Sequence, residues 1–178
     1  MPLDESALVM LVPEAEPLVK PFRDRYDPSA AAGVPAHITL LYPFRPPGEI
    51  DQAMLDDLRG CFQGFASFRF SLALIRRFPD GVLYLAPDPD EPFRQLVGDL
   101  GSIPGNTALW RKWPDIVPHL SVAWVEDAQR CDRIADDFTR AARGKLPIAA
   151  TAADVTLMRK RSGRWHVHAT FGLRHAVR

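Results

Sequence analysis

Apolar and polar residues alternate over two short stretches, His37-Ile38-Thr39-Leu40 and His119-Leu120-Ser121-Val122. Successive side chains on a strand point to opposite faces. Each stretch therefore reads as a half-buried strand with its aliphatics on one face and a histidine and a hydroxyl on the other. Other segments carry the remaining elements. Ala7 to Val12 reads as a strand. Glu14 to Tyr26 places Leu18, Val19, Phe22 and Tyr26 at helical spacing. Asp27 to Ala36 reads as a loop. Pro43, Pro46, Pro47 and Gly48 end the first alternating strand. Asp51 is placed to cap a helix through Met54, Leu55, Leu58 and Phe62.

Phe68 to Leu74 and Val82 to Leu85 flank Pro79-Asp80-Gly81, a hairpin signal. A helix is predicted from about Asp90 to Leu100, then an irregular stretch from Gly101 to Pro118 containing Trp110, Arg111, Lys112 and Trp113. The second alternating strand runs to Val125, followed by a helix over Ala128 to Ala142. Strands over Ala153 to Lys160 and Arg164 to Leu173 turn at Ser162-Gly163. Each alternating strand is thus followed by a helix and two strand-like runs. Leu40 to Leu85 and Val122 to Leu173 read as two versions of one unit. The expected fold is α+β: one bilobal, pseudo-twofold domain spanning residues 1–178. Two antiparallel sheets line a central cleft and helices pack outside.

Composition narrows the function. Of 178 residues, 47% are apolar and 25% charged, as expected of a folded globular chain. With 22 basic and 22 acidic residues the formal charge is zero. That argues against a tight, sequence-independent grip on long nucleic acid. Cys61 and Cys131 have no metal or redox spacing and read as reduced thiols. No apolar run is long enough to span a bilayer and no signal peptide is evident, so a cytoplasmic location is expected.

The candidate chemistry lies in the histidines. His37 and His119 are 82 positions apart, each with proline close before it and aliphatics at the next and third positions. His168-Ala169-Thr170 fits the bare spacing but not that context. Two imidazoles on one cleft can act as general acid and general base without a metal or cofactor. Thr39 and Ser121, about 6–7 Å along the strand from their histidines, can donate to phosphoryl oxygens. Tyr42 reaches the same face only if a bulge intervenes, because its offset from His37 is odd. Even without that parity it is placed to lie at the cleft mouth and stack on a base. Trp124 reads as core or as a base platform. His166 and His168 share a strand face, but no third ligand has matching spacing, so no metal site is predicted. Arg159-Lys160-Arg161 reads as an exposed hairpin end.

The doubled pattern, with Leu41-Tyr42-Pro43-Phe44 after the first copy and Pro118 before the second, resembles the 2H phosphoesterase superfamily and its 2′-5′ RNA ligase-like branch. The likeness covers roughly residues 5 to 173. Members often carry Thr at the Ser121 position and Arg at the Trp124 position. The resemblance implies a metal-independent, cofactor-free phosphodiesterase acting on a 2′,3′-cyclic phosphate, at an RNA end or on a small nucleotide, to give a 2′-phosphate. Reversal of that chemistry would join RNA ends through a 2′-5′ bond. It also implies His37 as general acid and His119 as general base. Separately, the neutral charge and the bilobal reading suggest a monomer. A nucleotide- or RNA-binding module that kept the cleft without turnover is the alternative.

Overall fold

The computed structural model describes residues 5–103 and 116–175. Trp110, Arg111, Lys112 and Trp113 lie outside the described residues. Eight strands are described: β1 (Ser6–Leu11), β2 (His37–Leu41), β3 (Phe68–Arg77), β4 (Val82–Asp88), β5 (Leu120–Trp124), β6 (Ile148–Ala152), β7 (Asp154–Arg161) and β8 (Arg164–Gly172). The α-helices among the described residues are α1 (Glu16–Tyr26), α2 (Pro28–Ala31), α3 (Gln52–Gln63), α4 (Glu91–Leu100) and α5 (Ala128–Ala142).

All strand pairings in the sheet are antiparallel, in the order β6-β3-β4-β5-β2-β1-β7-β8. Two four-stranded halves meet at the two alternating strands, and the β2–β5 seam is one pair, Ile38 with Leu120. The two expected sheets are therefore joined edge to edge at the middle. The lobes are not the two contiguous segments expected from the repeat. β3 and β4 follow β2 in sequence but pair with β5 and β6, whereas β2 pairs with β1. After β2 the chain leaves through α3, which packs on β8 and α4, and returns in the other half. Strand adjacency is set by that crossover, which the order of elements does not encode.

The helices bury their apolar stripes on one face of the sheet. Asp51 accepts from the Met54 amide at 2.9 Å and caps α3, as its position predicts. Leu58 and Phe62 of α3, Phe93 and Leu96 of α4, and Ile134 and Phe138 of α5 join Leu8, Met10, Ile38, Leu40, Leu120 and Val122 in one core. Cys131 is buried in that core and Cys61 is half-buried; both are free thiols. A second, small apolar cluster of Ala7, Val9, Val34 and Met158, with Leu11 and Trp165 against it, lies apart from the main core. Register explains its place: Val9 pairs with Thr39 and Leu11 with His37, so the odd positions of β1 share the histidine face. The segment read as a loop folds over this face, holds the short α2, and is tied to β8 by Trp165 N–H donating to the Ala32 carbonyl at 2.8 Å. β6 is an additional strand. Its Ile-Ala-Ala-Thr-Ala sequence has weak strand preference and is held by pairing with β3.

Candidate active site

The two histidine strands are neighbours across the seam. With Ile38 opposite Leu120, the flanking cross-strand positions place His37 near Ser121 and Thr39 near His119. His37 and His119 are then diagonal neighbours, a relation that puts Cβ atoms about 7–8 Å apart in an antiparallel ladder. All four side chains are half-buried while Ile38, Leu40, Leu120 and Val122 are fully buried, as the alternation predicts.

Both imidazoles are held in the same way. Nδ1 of His37 lies 2.8 Å from the Pro35 carbonyl and Nδ1 of His119 lies 2.7 Å from the Val117 carbonyl. A carbonyl only accepts, so each Nδ1 carries the proton and each neutral ring presents an Nε2 lone pair. The Pro35–Ala36 turn is fixed from behind: Glu16 accepts from the Ala36 amide at 2.5 Å, and the Val12 amide donates to the Ala36 carbonyl at 2.8 Å.

The electrostatics favour neutral rings. Burial lowers His37 to about 4, helped by the Arg23 guanidinium and, more weakly, by His119. Arg23 is itself 2% exposed. Its Nε donates to Asp27 at 2.9 Å and a terminal nitrogen donates to the Ser29 hydroxyl at 3.0 Å. Burial also lowers His119, against its Val117 hydrogen bond and the Asp80 carboxylate. Its ring is packed edge-on by Phe78 and Tyr84, centroids 4.9 and 5.5 Å away, which stack on each other at 4.3 Å.

Two β-bulges shape the mouth. Val9 pairs with Thr39 but Leu8 pairs with Leu41, so Leu40 is an extra residue and Tyr42 returns to the histidine face. Tyr84 pairs with Ser121 but Leu83 pairs with Ala123, so Val122 is extra and Trp124 returns likewise. The bulges fall three residues after each histidine, and each exposes an aromatic five residues after it: Tyr42 at 44% and Trp124 at 52%. The Tyr42 ring meets Trp165 at 6.0 Å, and Lys160 lies 5.8 Å over the Trp165 ring. Burial and the Glu5 carboxylate, its hydrogen-bond partner, raise the Tyr42 phenol.

A cavity of about 340 Å³ opens beside the first motif, with His37 and Thr39 on one side, Asp27, Pro28 and Ser29 on another, and Tyr42, Trp124 and Trp165 around it. A wider cavity of about 510 Å³ shares Asp27, Pro28 and Trp124 but is lined by neither histidine. His166 and His168 are not drawn into a site. His168 is the extra residue in the β7–β8 pairing, so their shared parity is broken. Arg159 and Arg161 repel a cation there. Among the described residues no group of three or more His, Cys, Asp or Glu is placed to hold a metal ion. Arg23, Phe78, Tyr84 and Trp165 were not singled out by the sequence; their approach to the histidines depends on fold contacts.

The model of the 2′-5′ RNA ligase superfamily matches residues 11–164, which span both motifs. The chain belongs to that superfamily, the 2H phosphoesterases. Solved structures share its fold at low identity. LigT of E. coli, solved with NADP+, is 16% identical with a TM-score of 0.58, covering 97% of this chain and 98% of that one. A phosphoesterase is 14% identical at 0.59, covering 97% and 99%. TT0787 of Thermus thermophilus is 20% identical at 0.58, covering 97% and 100%. No curated protein matches the chain. No helix among the described residues is long and apolar enough to cross a membrane.

Proposed function

We propose that the chain is a phosphoesterase that opens a nucleoside or RNA-terminal 2′,3′-cyclic phosphate to a 2′-phosphate, with His37 and His119 as its proton-transfer groups. The observation that carries this reading is the matched pair of imidazoles, each with Nδ1 on its own chain's carbonyl and Nε2 left for substrate. Superfamily membership supports the phosphoester chemistry.

The reaction runs as follows. Water attacks phosphorus and gives its proton to Nε2 of neutral His119. The P–O3′ bond breaks, and O3′ takes a proton from Nε2 of protonated His37. The products are a 2′-phosphomonoester and a free 3′ hydroxyl. Each transfer contributes about 10²–10⁴-fold. Thr39 and Ser121 donate to the non-bridging oxygens as charge builds there. His37 is neutral in the free protein at pH 7, being lowered to about 4. A bound phosphate anion beside Nε2 favours the imidazolium and loads the acid as substrate arrives. Tyr42 stands at the mouth, where its ring stacks on the base.

The test separates catalysis from binding. His37→Ala and His119→Ala should each lower turnover of a 2′,3′-cyclic nucleotide by at least 10²-fold while affinity for the 2′-nucleotide product changes little. Wild-type protein that binds the nucleotide but never turns it over would leave a binding module in its place.

A further inference from the structure

The two histidines are held alike at Nδ1 but differ one peptide further back. The carbonyl that takes the His37 Nδ1 proton belongs to the Pro35–Ala36 peptide, and the N–H of that same peptide donates to the Glu16 carboxylate at 2.5 Å. A single peptide unit therefore links a carboxylate to the imidazole. Hydrogen bonds in such a chain polarise one another. The carboxylate draws on the N–H, electron density moves onto the carbonyl oxygen, and the carbonyl becomes a stronger acceptor for Nδ1–H. The second motif cannot be built this way. The carbonyl that holds His119 belongs to the Val117–Pro118 peptide, and proline leaves that peptide without an N–H. Proline stands two places before the first histidine and one place before the second, and that shift decides which motif has a donor to give. Behind the second motif stands a cation: Arg94, held by Asp90 at 2.8 Å, donates to the Ile116 carbonyl at 2.6 Å, on the neighbouring peptide.

The link has a use because His37 is a poor host for a proton. The ring is buried and the Arg23 cation opposes its charge; Asp27 offsets that in part, and His119 lies across the seam. An acid that must be protonated when substrate arrives needs a fixed support for its imidazolium. Glu16, in the first turn of α1, gives that support from outside the cavity that His37 and Thr39 line. The peptide between them is fixed: Ala36 is fully buried and its carbonyl accepts from the Val12 amide at 2.8 Å. The other charges on the Glu16 side are Lys20, which pairs with Asp24 at 3.0 Å, and Arg23 and Arg164, which line the cavity behind Glu16 and Pro35.

We propose that Glu16 is a positioning residue for the His37 acid, acting through the Pro35–Ala36 peptide to aim and strengthen the carbonyl that holds the imidazolium. This rests on the proposed proton-transfer roles and adds a reason for their assignment: the histidine with a carboxylate one peptide away is the one that brings the proton.

Glu16→Ala and Glu16→Gln test it, compared per folded molecule on adenosine 2′,3′-cyclic phosphate. Removing an orienting partner of a histidine predicts about 10-fold lower kcat in Glu16→Ala, with KM little changed. Glu16→Gln keeps an acceptor for the Ala36 amide, and with it the turn, but drops the charge; it should recover part of the loss and not all. The signature is in pH. The alkaline limb of kcat, where His37 loses its proton in the complex, should move to lower pH in both variants, while the acidic limb set by His119 stays. Unchanged kcat and limbs in Glu16→Ala, full recovery by Glu16→Gln, or equal movement of both limbs would overturn the proposal. NMR of the ring N–H groups reads the same link without turnover. Glu16→Ala should move the Nδ1–H signal of His37 upfield and leave that of His119 in place; movement of neither or of both equally would also overturn it. If only His37 moves while His37→Ala leaves hydrolysis intact, the catalytic reading fails and the link from Glu16 to His37 stands.

Discussion

The half-buried His37 makes stability depend on pH in a way that one substitution isolates. Its folded value is about 4 against an ordinary 6.5, with burial as the main cause and the Arg23 cation next. Above pH 6.5 the imidazole is neutral folded and unfolded, so it adds no pH dependence. Between 6.5 and about 4 the unfolded chain takes up a proton that the folded chain refuses, so stability falls as pH falls. At ~1.36 kcal/mol per pH unit the loss reaches about 3 kcal/mol near pH 4 and is constant below it. His37→Asn removes the titrating group and keeps a donor at that position. Urea unfolding of both proteins, in steps from pH 7.5 to 4, gives a difference curve in which other groups largely cancel. The variant should gain on wild type by about 3 kcal/mol across that window, and the His37 ring signals should titrate near 4 by NMR. A flat difference curve, or a midpoint near 6.5 in the free protein, would refute the reasoning.

Other outcomes follow from the same contacts. Arg23→Met strands Asp27 in the interior beside Ser29; loss of one partner from a buried pair should cost about 3–5 kcal/mol in urea unfolding and raise the His37 midpoint. Gly81 has φ of +89° and an added Cβ would sit 2.1 Å from the Val125 carbonyl oxygen. Gly81→Ala should therefore destabilise by more than the ~1–2 kcal/mol of left-handed backbone alone, read as a lower thermal midpoint. Thr39→Val and Ser121→Ala should each lower kcat by about 10²-fold, with Thr39→Ser close to wild type; unchanged kcat in both would remove the hydroxyls from the reaction.

Local pattern and tertiary register contributed different parts of the site. The histidine strands were legible because alternation at two residues per period separates a core face from a cleft face, and the burial of Ile38, Leu40, Leu120 and Val122 follows it. The place of Tyr42 was legible only as a condition, and the bulge at Leu40 meets it. The matching bulge at Val122 had no sequence signal, since Val122 is an ordinary strand residue. The interleaved lobes were hidden for a related reason: the chain passes from β2 through α3 to β3 in the other half of the sheet, and the order of elements does not show that change of half. The Phe78–Tyr84 stack against His119 depends on the pairing of β4 with β5. Arg23 lies one helical turn after Val19, at the edge of the apolar stripe of α1, and its contacts with Asp27 and Ser29 account for its burial as a charge.

The central claim is that two imidazoles carry the protons of a cyclic phosphodiester hydrolysis. Its most direct test is hydrolysis of adenosine 2′,3′-cyclic phosphate in excess EDTA by wild type, His37→Ala and His119→Ala, with the product identified by phosphorus NMR. Wild type should yield the 2′-phosphate, and each single substitution should abolish it. Turnover that persists in both variants, or a wild-type activity that EDTA removes, would contradict the account.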